Sequence, residues 1–186
     1  MANLNDRELF QLITAAFYYY EIAENEKKNV DNNMLNSKIG DFQFRNRDDI
    51  TSSEQKSFFI FSTHIASSAI RLNSIEDHLK NAGVQTNNRK EYQDIENEND
   101  HKKRLELIDI SMKNAIHFYL RHMVSHSENE IDTNKRKKNN KTNAYNDMRN
   151  KYYELTYGML YEFLNKSLKN LEEILLKYNI EKANLN

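Results

Sequence analysis

The chain has 186 residues and a net charge of −1, with 27 Lys and Arg against 28 Asp and Glu. This length is typical of one domain, and the balanced charge excludes a globally basic nucleic-acid coat but allows a local basic patch. The absence of cysteine excludes disulfides, thiol catalysis and Cys-ligated zinc. With no proline and three glycines, the composition argues against a β-sandwich and glycine-rich nucleotide-binding loops. No stretch is apolar enough to cross a membrane and no signal peptide is visible, so we expect a cytoplasmic protein.

Apolar residues spaced three and four apart predict amphipathic helices separated by polar loops. The first helix is predicted at about residues 6–24. Its apolar face comprises Leu9, Phe10, Leu12, Ile13, Ala16, Phe17 and Tyr20. A polar loop is predicted at 25–52, where Phe42 and Phe44 alternate with Gln43 in the pattern of a short strand.

The second helix is predicted to begin after Ser52-Ser53 and to end near Gly83, a common helix stop. Its apolar face comprises Phe58, Phe61, Ile65, Ala69, Leu72, Ile75 and Leu79. Loops are predicted at 84–101 and 127–143, flanking a third helix at about 102–123, and a last helix follows at about 144–178. These elements predict a single all-α domain over residues 1–186, an up-down bundle of four to five helices with its core at about 53–180.

Ionisable side chains concentrate at the end of the third predicted helix, where His117, Arg121, His122 and His126 lie within ten residues. Arg121 and His126 are about 140° apart around an ideal helix. They meet only if the helix bends or if both face a pocket from its rim. His122 and His126 are four residues apart and share a face.

The segment from Arg121 to His126, Arg-His-Met-Val-Ser-His, resembles the Arg-polar-x-x-x-His signature of HEPN domains. These are all-α bundles, and many are metal-independent endoribonucleases that act as dimers with two Arg–His sets facing one cleft. The resemblance covers most of the chain from about Ser53 onward. It implies that Arg121 binds the scissile phosphate and that His126 transfers a proton at the 2′-OH or the leaving oxygen. His122 stands at the polar position, which is more often Asn or Asp in the family.

The resemblance does not extend to one known mode of regulation. Some members that are paired with a nucleotidyltransferase antitoxin carry a modified Tyr where this chain has Glu128. That mode of regulation does not carry over to this chain, and whether it has an antitoxin or another regulatory partner stays open.

The chemistry of RNA transesterification agrees with these residue types. The reaction needs a base, an acid and a cation near neutral pH, which His and Arg supply without a metal. Within the loop that follows, residues 134–143 carry five positive charges and no acid, and we expect this segment to contact the RNA backbone through Lys135, Arg136, Lys137, Lys138 and Lys141. We therefore predict a homodimeric endoribonuclease without a cofactor, serving as a toxin or in anti-phage defence.

Three alternatives stay open. Arg121 and His122 could have no role except to cap a helix C-terminus, where cations are favoured. His122 and His126, with Glu130, have a spacing that can bind zinc, although the Glu of a His-Glu-x-x-His metalloprotease is missing. The chain could also be a non-catalytic helical dimer or interaction protein.

The remaining candidate residues are assigned structural roles. We expect His117 to be packed or at the surface, and His64 and His78 to be structural. His101 is expected at a solvated helix start, and the tyrosines of 17–20 in the core or an interface.

Overall fold

The structure, a computed structural model, describes residues 6–41, 50–84, 88–126 and 140–184. Apart from short connections they form helices, with no strand in these ranges, and this confirms the all-α prediction. The α-helices are α1 (Asp6–Lys27), α2 (Asn32–Asn36), α3 (Ser53–Asn81), α4 (Asn88–Asn97), α5 (His101–His126), α6 (Asn140–Glu154) and α7 (Tyr157–Asn184). A 3-10 turn covers Ile39–Asp41. Within the described ranges no helix combines the length and apolarity that a membrane span requires. The strand-like pattern at 42–44 lies outside them.

The described part of the chain contains seven α-helices rather than the four to five predicted. Two of the additional helices, α2 and α4, lie in segments predicted as loops. In α4, two apolar residues one turn apart are sufficient to hold the helix against the bundle. Ile95 is fully buried, and the Tyr92 ring packs 5.2 Å from that of Phe118. A short polar helix can therefore form where a neighbouring helix covers its few apolar side chains.

The last predicted helix is divided into α6 and α7. At the break, the Leu155 carbonyl accepts a hydrogen bond from Ile39 N at 2.8 Å. This bond from the segment before α3 replaces the one that the carbonyl would accept within a continuous helix. Thr156 then begins the next helix, since its Oγ1 accepts from Met159 N at 3.2 Å. The break is a tertiary effect that the apolar periodicity does not show.

Both ends of α3 are defined by local chemistry. Ser52 and Gln55 form a capping box: Gln55 N donates to Ser52 Oγ, and Ser52 N donates to Gln55 Oε1. At the other end Gly83 adopts φ = +85°, which allows Val84 N to bond back to the Leu79 carbonyl. All seven residues predicted on its apolar face are buried, so this prediction is confirmed.

Helix directions alternate in the order α1, α3, α4 and α5, as predicted for an up-down bundle. α1 and α3 are antiparallel, since Ser68 Oγ donates to the Ala16 carbonyl at 2.7 Å and the earlier His64 packs on the later Tyr19. α5 runs in the direction of α3, since Asn73 bonds to His117 and, one turn later on both helices, Asp77 bonds to Arg121. α4 runs against α5, since Tyr92 packs on Phe118 whereas the later Glu98 bonds to the earlier Arg104. α6 then breaks the predicted order, because Arg104 pairs with Asp147 and, one turn later on both helices, Asp109 pairs with Lys151. α5 and α6 therefore run in the same direction.

The buried stripe of α1 is narrower than predicted. Leu9, Ala16 and Tyr20 are buried against the bundle, whereas Phe10 is 68% exposed. Phe10 lies about 100° from Leu9 around the helix. Since α1 packs mainly on α3, one partner helix covers only a single face, and the prediction that Phe10 belongs to the core was wrong.

Candidate functional site

The predicted motif lies on the last turns of α5, beyond a bend. Ala115 has φ = −142° and ψ = 44°, outside the helical region, within an otherwise continuous helix. Next to it the Asn114 carbonyl accepts from Ser167 Oγ at 3.2 Å, and Asn114 Oδ1 accepts from Lys166 Nζ at 2.9 Å. Side chains of α7 thus bond to α5 at the point where its helical geometry is interrupted.

Beyond the bend, three neighbouring side chains of α3 bind α5. Asn73 Nδ2 donates to the His117 carbonyl. A Glu76 carboxylate oxygen lies 2.9 Å from His117 Nε2. One turn further, Arg121 Nη1 donates to Asp77 Oδ2 at 2.8 Å. These contacts set the register of the motif segment against α3.

His117 is a core residue, only 1% exposed. This agrees with the structural role predicted from its position. Its acidic partner Glu76 was not identified from the sequence, because the two residues lie far apart in the chain and only the packing of α3 on α5 brings them together. A buried His that contacts a carboxylate anchors the helix and is not placed to meet a large substrate.

Arg121 is accessible. Its side chain is 43% exposed and that of Asp77 is 42% exposed. Arg121 lies five residues before the end of α5, and its hydrogen bond goes to a carboxylate on α3 rather than to a carbonyl at its own helix end. The contact therefore differs from the capping role left open by the sequence.

The bend does not bring Arg121 and His126 together in one chain. It lies at Ala115, before both residues, and the backbone stays helical through His126. Positions five apart on a regular helix are separated by about 140° around the axis. The first route by which the two could meet, a bend between them, is thus absent from α5.

For several predicted site residues the structure does not describe the side chain. For His122, His126 and Lys141 the structure describes the backbone only, and Lys135, Arg136, Lys137 and Lys138 fall in the undescribed segment 127–139. Their roles stay predictions. The described residues contain no group of three His, Asp or Glu suited to a metal ion. The zinc alternative, on His122, His126 and Glu130, is not tested by this observation.

His64, His101 and Tyr20 occupy structural positions, whereas Tyr18 is 59% exposed and is not part of the core. His64 Nδ1 is 2.7 Å from the Ile60 carbonyl oxygen, and its ring packs near that of Tyr19. His101 is exposed at the start of α5, as predicted. Tyr20 is buried and stacks at 5.2 Å on Tyr161, which agrees with a core role.

An additional acidic group lies beside the bend. Burial raises the pKa of the Glu91 carboxyl on α4, against the effect of side-chain hydrogen bonds with Ser111 and Asn114. The negative charges of Asp94 and Glu76 raise it further. This half-buried acid was also missed by the sequence analysis, which placed it in a solvated loop.

No protein-family model, curated protein or solved structure matches this chain. The likeness to HEPN domains is therefore a resemblance of motif and helical layout.

Proposed function

We propose that the chain is a metal-independent endoribonuclease of the HEPN type, acting as a homodimer in the cytoplasm as a toxin or anti-phage effector. The observation that supports this best is the position of Arg121. Its side chain is half exposed on a helix held in register by α3, and Asp77 accepts a hydrogen bond from one of its terminal nitrogens. Arg in this state offers a directed, permanently charged contact for phosphate.

In the proposed reaction the 2′-oxygen of a ribose attacks the adjacent phosphorus, and the bond from phosphorus to the 5′-oxygen breaks. A base takes the 2′-proton and an acid protonates the leaving 5′-oxygen, which gives a cyclic phosphate and a free 5′-hydroxyl. His126 would act in one of these proton transfers, and Arg121 would stabilise the charge that develops on the phosphoryl oxygens. His122 is the second candidate for proton transfer.

The geometry of α5 supports a homodimeric site. Because Arg121 and His126 occupy positions about 140° apart on a regular helix, one helix end presents both to one phosphate only if they face it from the rim of a pocket. A two-fold axis near this end would place two copies of the motif opposite each other, so that the Arg of one protomer and the His of the other share a cleft. The basic residues 135–141 would then flank the cleft, and RNA binding should weaken with salt.

The decisive test is cleavage of single-stranded RNA by the purified protein and two variants. We expect Arg121→Ala and His126→Ala to lower the rate by roughly 10²- to 10⁴-fold, as for loss of a catalytic acid, base or charge. The matched controls are Arg149→Ala and His64→Ala, which remove an Arg and a His from structural contacts. Circular dichroism should show helical protein in all four variants. Full cleavage by folded Arg121→Ala would overturn the proposal.

A specific surface supports the second candidate, a non-catalytic dimerisation or interaction protein. The outward side of α3 exposes Phe59 (46%) and Ile70 (39%), and the sequence from 57 to 70 contains no Asp, Glu, Lys or Arg. An uncharged, partly apolar helix face is typical of interfaces. Light scattering of wild type and Phe59→Glu tests this candidate: association that is lost in the variant, with no RNA cleavage by the wild type, would favour it.

A further inference from the structure

The proposed site contains a described residue that the motif does not include. Asp77, on α3, is the side chain that Arg121 contacts within the described residues, through one hydrogen bond of 2.8 Å. We propose that Asp77 is a positioning residue, which holds the guanidinium of Arg121 in the direction that receives the scissile phosphate. This inference rests on the proposed ribonuclease function.

The first argument concerns the long side chain of Arg121. An exposed Arg without a partner samples many rotamers, and binding of a phosphate then costs the conformational entropy of that side chain. Here the backbone is already held by α3, where Asn73 bonds to the His117 carbonyl and Glu76 to the His117 ring. Asp77 extends this hold from the backbone to the guanidinium itself. The site is thus preorganised one turn beyond the buried anchor.

The second argument concerns which edge of the guanidinium Asp77 occupies. The hydrogen bond uses Nη1 alone, through Oδ2. Arg carries five N–H donors in a planar fork, so the edge formed by Nε and Nη2 is a separate pair of parallel donors. That edge matches two oxygens of a phosphate. Asp77 can therefore orient Arg121 without taking the place of the substrate.

The third argument separates this pair from an ordinary surface ion pair. Exposed pairs contribute little to stability. α5 offers a matched example away from the motif, because Asp109 pairs with Lys151 at 3.1 Å and its side chain is similarly exposed. If Asp77 matters only for the fold, loss of either acid should have the same small effect.

The experiment compares steady-state RNA cleavage by wild type, Asp77→Ala, Asp77→Asn and Asp109→Ala. For Asp77→Ala we expect kcat to fall by roughly ten- to a hundredfold, as for a misplaced catalytic group, with a smaller change in KM. Asp77→Asn keeps an oxygen that accepts the Nη1 hydrogen bond, and it should recover most of the lost kcat. Asp109→Ala should behave as wild type, and all melting temperatures should agree closely.

Each contrary result has its own meaning. If Asp77→Ala cleaves like Asp109→Ala, or if Asp77→Asn is no better than Asp77→Ala, the positioning role is wrong while the nuclease function stands. If Asp77→Ala cleaves faster with a lower KM, Asp77 competes with the phosphate instead and the inference is likewise overturned. A folded wild-type protein that cleaves no RNA overturns the proposed function, and the inference with it.

Discussion

The buried ion pair between Arg104 and Asp147 gives the sharpest test of the fold around the site. Arg104 Nε lies 2.7 Å from Asp147 Oδ2, and the side chains are only 6% and 16% exposed. Arg104 Nη1 also donates to the Glu98 carbonyl at 2.8 Å. One guanidinium therefore joins the end of α4, the start of α5 and the middle of α6. Asp147→Ala would leave this buried cation without its carboxylate.

The expected cost follows from the burial of Arg104. Removing one member of a buried pair typically costs about 3–5 kcal/mol, because the remaining charge is desolvated and uncompensated. For a chain of this size each kcal/mol shifts the melting temperature by about 2–4 °C, so we expect a fall of roughly 6–20 °C. His101, which also approaches Asp147, is mostly exposed and should add little.

Thermal and urea unfolding followed by circular dichroism measure this cost. The control is Asp109→Ala, which breaks the more exposed pair with Lys151 on the same two helices and should cost about 0–1 kcal/mol. Replacing both partners, as in Arg104→Met with Asp147→Ala, should be less destabilising than Asp147→Ala alone. Equal effects of Asp147→Ala and Asp109→Ala would refute the argument from burial.

Three further outcomes are expected. RNA cleavage should survive excess EDTA, because the proposed mechanism uses no metal, and activity that disappears in chelator and returns with zinc would instead favour the metal site. Glu91→Gln should melt at a higher temperature than wild type at pH 7. Burial raises the pKa of Glu91, so the wild-type protein loses stability as the pH rises through that pKa and the carboxyl becomes charged. The difference in melting temperature between the two proteins should therefore vanish below about pH 4. Gly83→Ala should lower the free energy of unfolding in urea by about 1–2 kcal/mol. The added Cβ would meet no atom within 4 Å, so the cost comes only from backbone strain at φ = +85°. An unchanged free energy of unfolding would contradict this reason.

The helical class and the main core helix could be predicted from the sequence. Periodic apolar residues such as Phe61, Ile65 and Leu72 identify the buried face of α3, and all are fully buried. Gly83 marks the end of that helix, where its left-handed conformation is observed. These features are local, since a helix of regular pitch determines which residues share a face and which residue types end it.

Other features depend on what packs against each segment. Phe10 continues the apolar pattern of α1, yet it is exposed because α1 packs mainly on α3, which covers another side of the helix. The break before α7 forms because the backbone of Ile39 bonds to Leu155, a residue distant in the chain. The same local sequence would form a different element with another neighbour.

The candidate site likewise contains some residues that the sequence identifies and others that only the packing brings to it. Arg121 and His126 can be selected from the sequence, because their types and spacing suggest phosphate chemistry. Asp77 and Glu76 cannot, because an acidic residue on a polar helix face is ordinary in a chain with 28 Asp and Glu. Only the parallel packing of α3 on α5 aligns these acids with Arg121 and His117. The spacing within one helix determines the candidate groups, whereas the partner of each charged group depends on long-range packing, which brings together residues that are distant in the chain.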